Sequence, residues 1–278
     1  MQQQDESDVT LEEVRQSLSQ ALAEGGSRLL LRLTDEELAV LTSAAEGDRT
    51  IAASPHLEGI SAQEREWVLA TALRSLVSRD LIEIANTAEL DAALKGPNES
   101  AQVEIDMRLS PDLDLALTLR KTADRILTLE QTTSAGTTYA YIYVHGADLL
   151  LVEEVTGGGM HTFTLVVSVS EAAEMACRLV DPNGAANVDG LTMDLDPRAL
   201  EMEAVGQPLK NVIENALVVG QLILVARVPG PLLMTYATAE ELWMVHVDAP
   251  RAPTGVTARS VGRQALADRI AEMLEFSA

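Results

Sequence analysis

The segment Ala135–Val180 returns in outline at Val225–Leu274, and that repeat restricts what the chain can fold into. The first copy reads as strands Thr137–His145, Asp148–Val155 and His161–Ser168, followed by a helix over Glu171–Val180. The second reads as strands Leu222–Val228, Leu232–Ala237 and Glu241–Asp248, followed by a helix over Ser260–Glu275. A short antiparallel meander closed by one amphipathic helix cannot bury its own apolar sheet face, so two copies are expected to share one core. The expected class is therefore α+β: pseudo-duplicated, mostly antiparallel sheet packed with amphipathic helices. The expected division is a tail and amphipathic helix over 1–27, an N-terminal half over 28–182 and a C-terminal half over 190–278, joined as one compact unit. Asp181–Gly190 is the best internal boundary.

Hydrophobic residues are 47% of the 278 but aromatics only 3%, so the core must be mainly aliphatic, with Trp67, Trp243, Phe163 and Phe276 as rare large fillers. The net charge of −23 argues against nucleic-acid binding, which needs a basic face to displace phosphate counterions. Arg251, Arg259, Arg263 and Arg269 come nearest to a basic cluster, and Asp268, Glu272 and Glu275 dilute it. One cysteine, Cys177, forbids an intrachain disulfide and suits a reducing compartment. The start Met-Gln-Gln-Gln-Asp-Glu lacks the features of a signal peptide, and no apolar run is long enough for a membrane helix.

Three capping boxes punctuate the first third: Thr10–Glu13, Thr34–Glu37 and Ser61–Glu64. The first opens a helix with Leu11, Val14, Leu18 and Leu22 on one stripe, ended by Gly25-Gly26. The second opens a helix to about Ala45, with Leu38 and Leu41 inward. The third opens the strongest helix, whose apolar positions are Trp67, Val68, Ala72, Leu73, Leu76 and Val77. Leu81–Ile84 is expected to pair back onto Leu29–Leu33. That arrangement resembles a winged helix, but acids stand where a DNA reader needs Arg or Lys. Beyond the turn-rich Lys95–Ser100, Val103–Leu109 and Leu113–Leu119 alternate with period two and read as strands, and Asp124–Glu130 continues the meander. Tyr139, Tyr141 and Tyr143 share one strand face. Asp196-Pro197 opens a helix to about Val205, and a further helix runs through Leu209–Leu217.

No catalytic motif decorates this frame. Cys177 lies on the apolar side of its helix and reads as a buried structural thiol. His56, His145, His161 and His246 lack metal-site spacing. His161 with Glu153 and Glu154 would form a ligand set only with a favourable twist, and a histidine beside a solvated loop is the plainer reading. Adjacent acids such as Glu153-Glu154 point to opposite sheet faces. Gly157–Gly159 lacks the ending of a phosphate loop and joins strand to strand. Three glycines exceed what a tight turn needs, so Thr156–Met160 is expected to be mobile. Gly157, Gly158, Gly159 and Met160 are the candidate partner-binding residues, and alanine at all three glycines is expected to leave stability nearly intact.

The order of elements carries a resemblance. Arg32-Leu-Thr-Asp-Glu-Glu-Leu38 opens it, a helix ending Leu73–Ile82 follows, then a meander near Ser110-Pro111-Asp112, a hairpin with a Gly-His-like loop, and a closing helix after a strand. This resembles the EspG family of type VII (ESX) secretion chaperones of actinobacteria. The family usually has Arg-Gly-Leu where this chain has Arg79-Asp80-Leu81. The resemblance implies a non-enzymatic cytoplasmic protein without cofactors. Its partner would be a helical secreted protein of PE/PPE or WXG type, whose apolar tip it binds and keeps soluble. A hydrolase or small-ligand-binding protein with a site assembled from distant residues is the alternative.

Overall fold

The computed structural model describes residues 27–43, 51–57, 60–87, 106–197, 205–227, 230–248 and 255–275. Among these, ten strands form one antiparallel sheet: β1 (Ser27–Thr34), β4 (Arg125–Thr133), β5 (Gly136–Val144), β6 (Leu150–Val155), β7 (Met160–Val166), β8 (Thr192–Leu195), β9 (Val218–Val225), β10 (Leu232–Ala237), β11 (Leu242–Val247) and β12 (Val256–Ser260). Its order is β1-β7-β6-β5-β4-β9-β10-β11-β12-β8. Six helices pack on it: α1 (Asp35–Ser43), α2 (Ala62–Ser78), α3 (Pro111–Thr122), α4 (Val169–Val180), α5 (Leu209–Glu214) and α6 (Arg263–Glu275). A separate ribbon pairs β2 (Ile82–Ile84) with β3 (Met107–Leu109). None of the described helices is long and apolar enough to cross a membrane.

The seam is β4 against β9, from Ile126 opposite Val225 to Thr133 opposite Val218. Outward from it the order is β5, β6, β7, β1 on one side and β10, β11, β12, β8 on the other. On each side four consecutive strands form a meander inside one outer strand, and each meander runs into a helix: β4–β7 into α4, β9–β12 into α6. The sequence reading allowed three strands before the second helix; β12 is the fourth, lying where Ser260 was expected to start that helix. α4 and α6 pack together over the seam. Leu127, Leu129, Ile142, Val152, Leu222, Leu224 and Leu242 rise from the sheet to meet Ala173, Cys177, Leu266 and Ile270. Fully burying each large aliphatic side chain contributes roughly 1.5–3 kcal/mol.

On the opposite face the first half is covered by α1, α2 and α3, and the second half by α5 over Trp243, Val245 and Ala258. Two local expectations fail here. Leu113–Leu119 is not a strand but lies within α3: Leu113, Ala116 and Leu119 are buried at three-residue spacing, behind a Ser110 N-cap and Pro111 in the first turn. An alternating Leu/Asp run satisfies either period, and the proline start decides it. Leu81–Ile84 does not return to β1: β2 pairs with β3, while β1 pairs with β7. The expected helix over 11–23, residues 198–204 of the helix expected from Asp196-Pro197 to about Val205, and the strand residues Val103 and Ile105 lie outside the described residues; Val205 itself is not helical.

The capping boxes at Thr34 and Ser61 are both formed. α2 ends in a Schellman motif, with the Asp80 amide donating to the Val77 carbonyl and Leu81 to Leu76 at 3.0–3.1 Å. Asp80 sits at φ 56°, in the left-handed region that the motif requires.

Candidate functional site

The β6–β7 hairpin and the start of α1 enclose a cluster of charges. Val155 pairs with His161 and Glu153 with Phe163, so Glu153 and His161 are diagonal neighbours on one face. The β1–β7 ladder sets Leu33 opposite His161 and Thr34 opposite Met160, which carries Asp35, the first residue of α1, over the imidazole. His161 Nδ1 lies 2.6 Å from Glu153 Oε1 and its Nε2 lies 2.6 Å from Asp35 Oδ1. All three side chains are fully buried. Each ring nitrogen faces a carboxylate oxygen, so both donate and the ring is an imidazolium. Arg120 from α3 donates from Nε (3.0 Å) and Nη2 (3.2 Å) to Glu153, and the Tyr143 hydroxyl donates to Glu153 at 2.6 Å. Two carboxylates, one guanidinium and one imidazolium leave the interior neutral, the condition under which buried charges are tolerated. Burial alone would raise the Glu153 carboxyl; the His161 hydrogen bond, the Arg120 charge and the Tyr143 hydroxyl outweigh it and hold that carboxyl below its usual range. Burial and the Glu153 charge push the Tyr143 phenol well up.

His161 is thus not beside a solvated loop, and Glu154 takes no part. Glu154 belongs to the other register of the strand, as adjacent strand residues must. What sequence reasoning missed was Asp35, 126 residues from His161. The other histidines stay apart. His145 Nε2 lies 2.8 Å from the Leu119 carbonyl, and His246 contacts Arg269 and Asp248. His56 reaches Asp35 only through its backbone amide (2.6 Å), with its Nδ1 on Glu36. Among the described residues no group of three or more His, Cys, Asp or Glu could hold a metal ion. The cluster offers no free base, since both nitrogens of His161 are committed. Cys177 lies on the opposite sheet face, its thiol pushed up to about 12 chiefly by burial.

The loop Thr156–Met160 is fastened to this cluster. Gly159 accepts from the Asp35 amide at 2.9 Å, and the turn closes through Gly159 to Thr156 (2.9 Å) and Thr156 to Met160 (3.0 Å). Gly157 and Gly158 are exposed, and Met160 is 39% exposed, but Gly159 is buried. Gly159 has φ +70°, and a Cβ there would stand 2.6 Å from Asp35 Oδ2 and 2.7 Å from His56 Cβ. The three glycines are therefore not interchangeable with alanine, because the third is where the loop meets the buried carboxylate.

Beside the loop end, a groove of about 390 Å³ runs between α1 and α2, lined by Thr34, Glu36, Trp67, Val68, Thr71 and Ala72 among others. Its wall is largely apolar. Trp67, expected inward, is instead 72% exposed on the groove's rim. The signal was present: Trp67 and the fully buried Leu76 are nine residues apart, about 180° around a helix turning 100° per residue. Across β1–β7, Thr34 in the groove wall pairs with Met160. The groove, the methionine and the exposed glycines thus share one end of the first half. The sequence matches no protein-family model and no curated protein.

Proposed function

We propose that this chain is a non-catalytic chaperone or adaptor that covers an apolar helical segment of a secreted partner, in the manner of the EspG family it resembles. The observation that carries this reading is Trp67, 72% exposed on the rim of an apolar groove whose wall residue Thr34 pairs with Met160. Tryptophan is the residue type most enriched among binding hot spots, and an exposed apolar patch of this kind fits the face of an amphipathic helix. The backbone at Asp80 supports the resemblance too. Asp80, where the family usually has glycine, has φ 56°, a conformation glycine adopts freely and aspartate tolerates. The mirrored strand order about β4 and β9 is read as a pseudo-twofold duplication of strand, meander and helix, with β1 and β8 as equivalent outer strands. A cytoplasmic location and a partner of PE/PPE or WXG type belong to the same proposal.

The test is co-expression with small helical secreted proteins encoded beside this gene. Wild type should co-purify with one of them, and Trp67→Ala should lose at least tenfold in affinity, the scale of a hot-spot truncation. Its melting temperature should stay within about 2 °C of wild type, because the side chain is mostly in solvent. Equal binding by Trp67→Ala, or no helical partner, overturns the reading.

A further inference from the structure

We propose that a second cavity, on the other side of α1, is a binding site for a phosphate monoester. The cavity holds about 320 Å³ and is lined by Leu38, Ala39 and Thr42 of α1, Ser54 and Leu57, Arg65 of α2 and Arg120 of α3. Its wall carries two guanidinium groups and no carboxylate, in a chain with 43 acids against 20 Lys and Arg. An anion is repelled by most of this surface and attracted here. The proposal does not rest on the partner reading above.

The two arginines play different parts. Arg120 is 8% exposed and fixed: its Nε and Nη2 are held by Glu153, and Nε also lies 3.3 Å from the Tyr143 hydroxyl. These bonds hold the guanidinium rigidly in the cavity wall and do not use Nη1. Glu153 balances Arg120 and Asp35 balances His161, so the buried cluster is neutral as a whole, and Arg65 brings the uncompensated charge. Arg65 lies in the exposed first turns of α2 with no ion-pair partner among the described residues. The Ser54 hydroxyl is a third donor, from a third segment. The Thr42 hydroxyl already donates to the Leu38 carbonyl at 2.9 Å, so it offers only lone pairs, suited to a hydroxyl of the ligand. Donors converging from three segments suit a tetrahedral group with three oxygens better than a planar carboxylate. The volume exceeds one phosphate, and Leu38, Ala39 and Leu57 supply an apolar wall for the esterified part.

Isothermal titration of the full chain with phenyl phosphate, inorganic phosphate and acetate, at fixed ionic strength and pH 7.5, tests this. Wild type should bind phenyl phosphate saturably, more tightly than inorganic phosphate, and acetate most weakly. Arg65→Gln, on an exposed position that leaves folding intact, should weaken phenyl phosphate about tenfold, the loss of one charge-assisted hydrogen bond. Arg259→Gln, which alters the wall of a different cleft, should leave binding unchanged. Absence of saturable binding, wild-type affinity in Arg65→Gln, or an equal loss in Arg259→Gln overturns the site. Equal affinity for the ester and the inorganic ion overturns the ester assignment.

Discussion

Alanine at Gly159 should cost far more than alanine at its neighbours, and the structure supplies the magnitude. At φ +70° an L-residue carries a penalty of roughly 1–2 kcal/mol. The new Cβ would also approach Asp35 Oδ2 at 2.6 Å, Asp35 Cγ at 2.9 Å and His56 Cβ at 2.7 Å. None of these can swing aside, because the Asp35 carboxylate is held between the His56 amide and His161 Nε2. Overpacking of this kind costs about 1–3 kcal/mol, for a total of roughly 2–5 kcal/mol. Gly158 is the internal control: a Cβ there meets only Thr156 Oγ1, at 3.9 Å, an ordinary contact. Gly157 is intermediate, with the Thr137 carbonyl oxygen at 3.1 Å. Urea unfolding followed by circular dichroism is the assay. With a slope of about 3 kcal/mol per molar, Gly159→Ala should lower the midpoint by about 1 M at unchanged slope. Gly158→Ala should unfold with wild type. A Gly159→Ala midpoint equal to wild type, or a matching loss in Gly158→Ala, would refute the claim that the loop is locked onto Asp35.

Glu153→Gln should destabilise by about 3–5 kcal/mol in the same assay, because it leaves Arg120 and His161 buried with the Asp35 carboxylate as their single counter-charge in the cluster. The Glu153 carboxyl is held below its ordinary value of 4.5, so its stabilisation is complete above that pH and is lost as the pH falls through the lower folded value. Wild type should therefore lose stability on acidification below pH 4.5, and Glu153→Gln should lose less over that window; parallel pH curves would contradict it. Cys177, buried and with its thiol pushed up to about 12, should resist a thiol reagent at pH 8 in the native state and react fully once unfolded; rapid native reaction would count against its place under α4.

What the sequence revealed depended on range. The Thr34 and Ser61 capping boxes are local hydrogen-bond patterns, and both stand as read. The period-two face of Tyr139, Tyr141 and Tyr143 is local also, and Tyr141 and Tyr143 are buried with the first-half helices while Ala140 and Ile142 face α4. Leu113–Leu119 failed because leucine at every second position of a seven-residue run fits a strand by alternation and a helix by its three-residue subset. Trp67 was read by residue type, as an apolar side chain assigned to the core, when its angle to Leu76 pointed the other way. The charge cluster was out of reach because Asp35, Arg120, Glu153 and His161 come from four elements, and no local spacing encodes their meeting. Only half of it, the Glu153–His161 diagonal, is implied by a hairpin register.

The two sheet faces divide the work. The face under α4 and α6 is aliphatic from Val152 through the β4–β9 seam to Met244, so it joins the halves without specifying any chemistry. On the other face the second half repeats that solution, with Trp243, Val245 and Val256 under α5, while the first half places buried charge in the equivalent layer. Buried ion clusters rarely add stability over an apolar core, so their use there asks for another reason. The geometry supplies one. α1 gives Glu36 and Glu37 to the Trp67 groove and Leu38, Ala39 and Thr42 to the Arg65 cavity, so one nine-residue helix forms a wall of both openings. Its first residue is clamped by His161, and Glu37 in its first turn is clamped by Arg79 at 2.7 Å and Ser75 at 2.7 Å. Apolar contacts would allow a short helix to slide along the sheet at little cost. Directional bonds to buried charges fix where it starts and how it is turned, and so fix the two openings it divides.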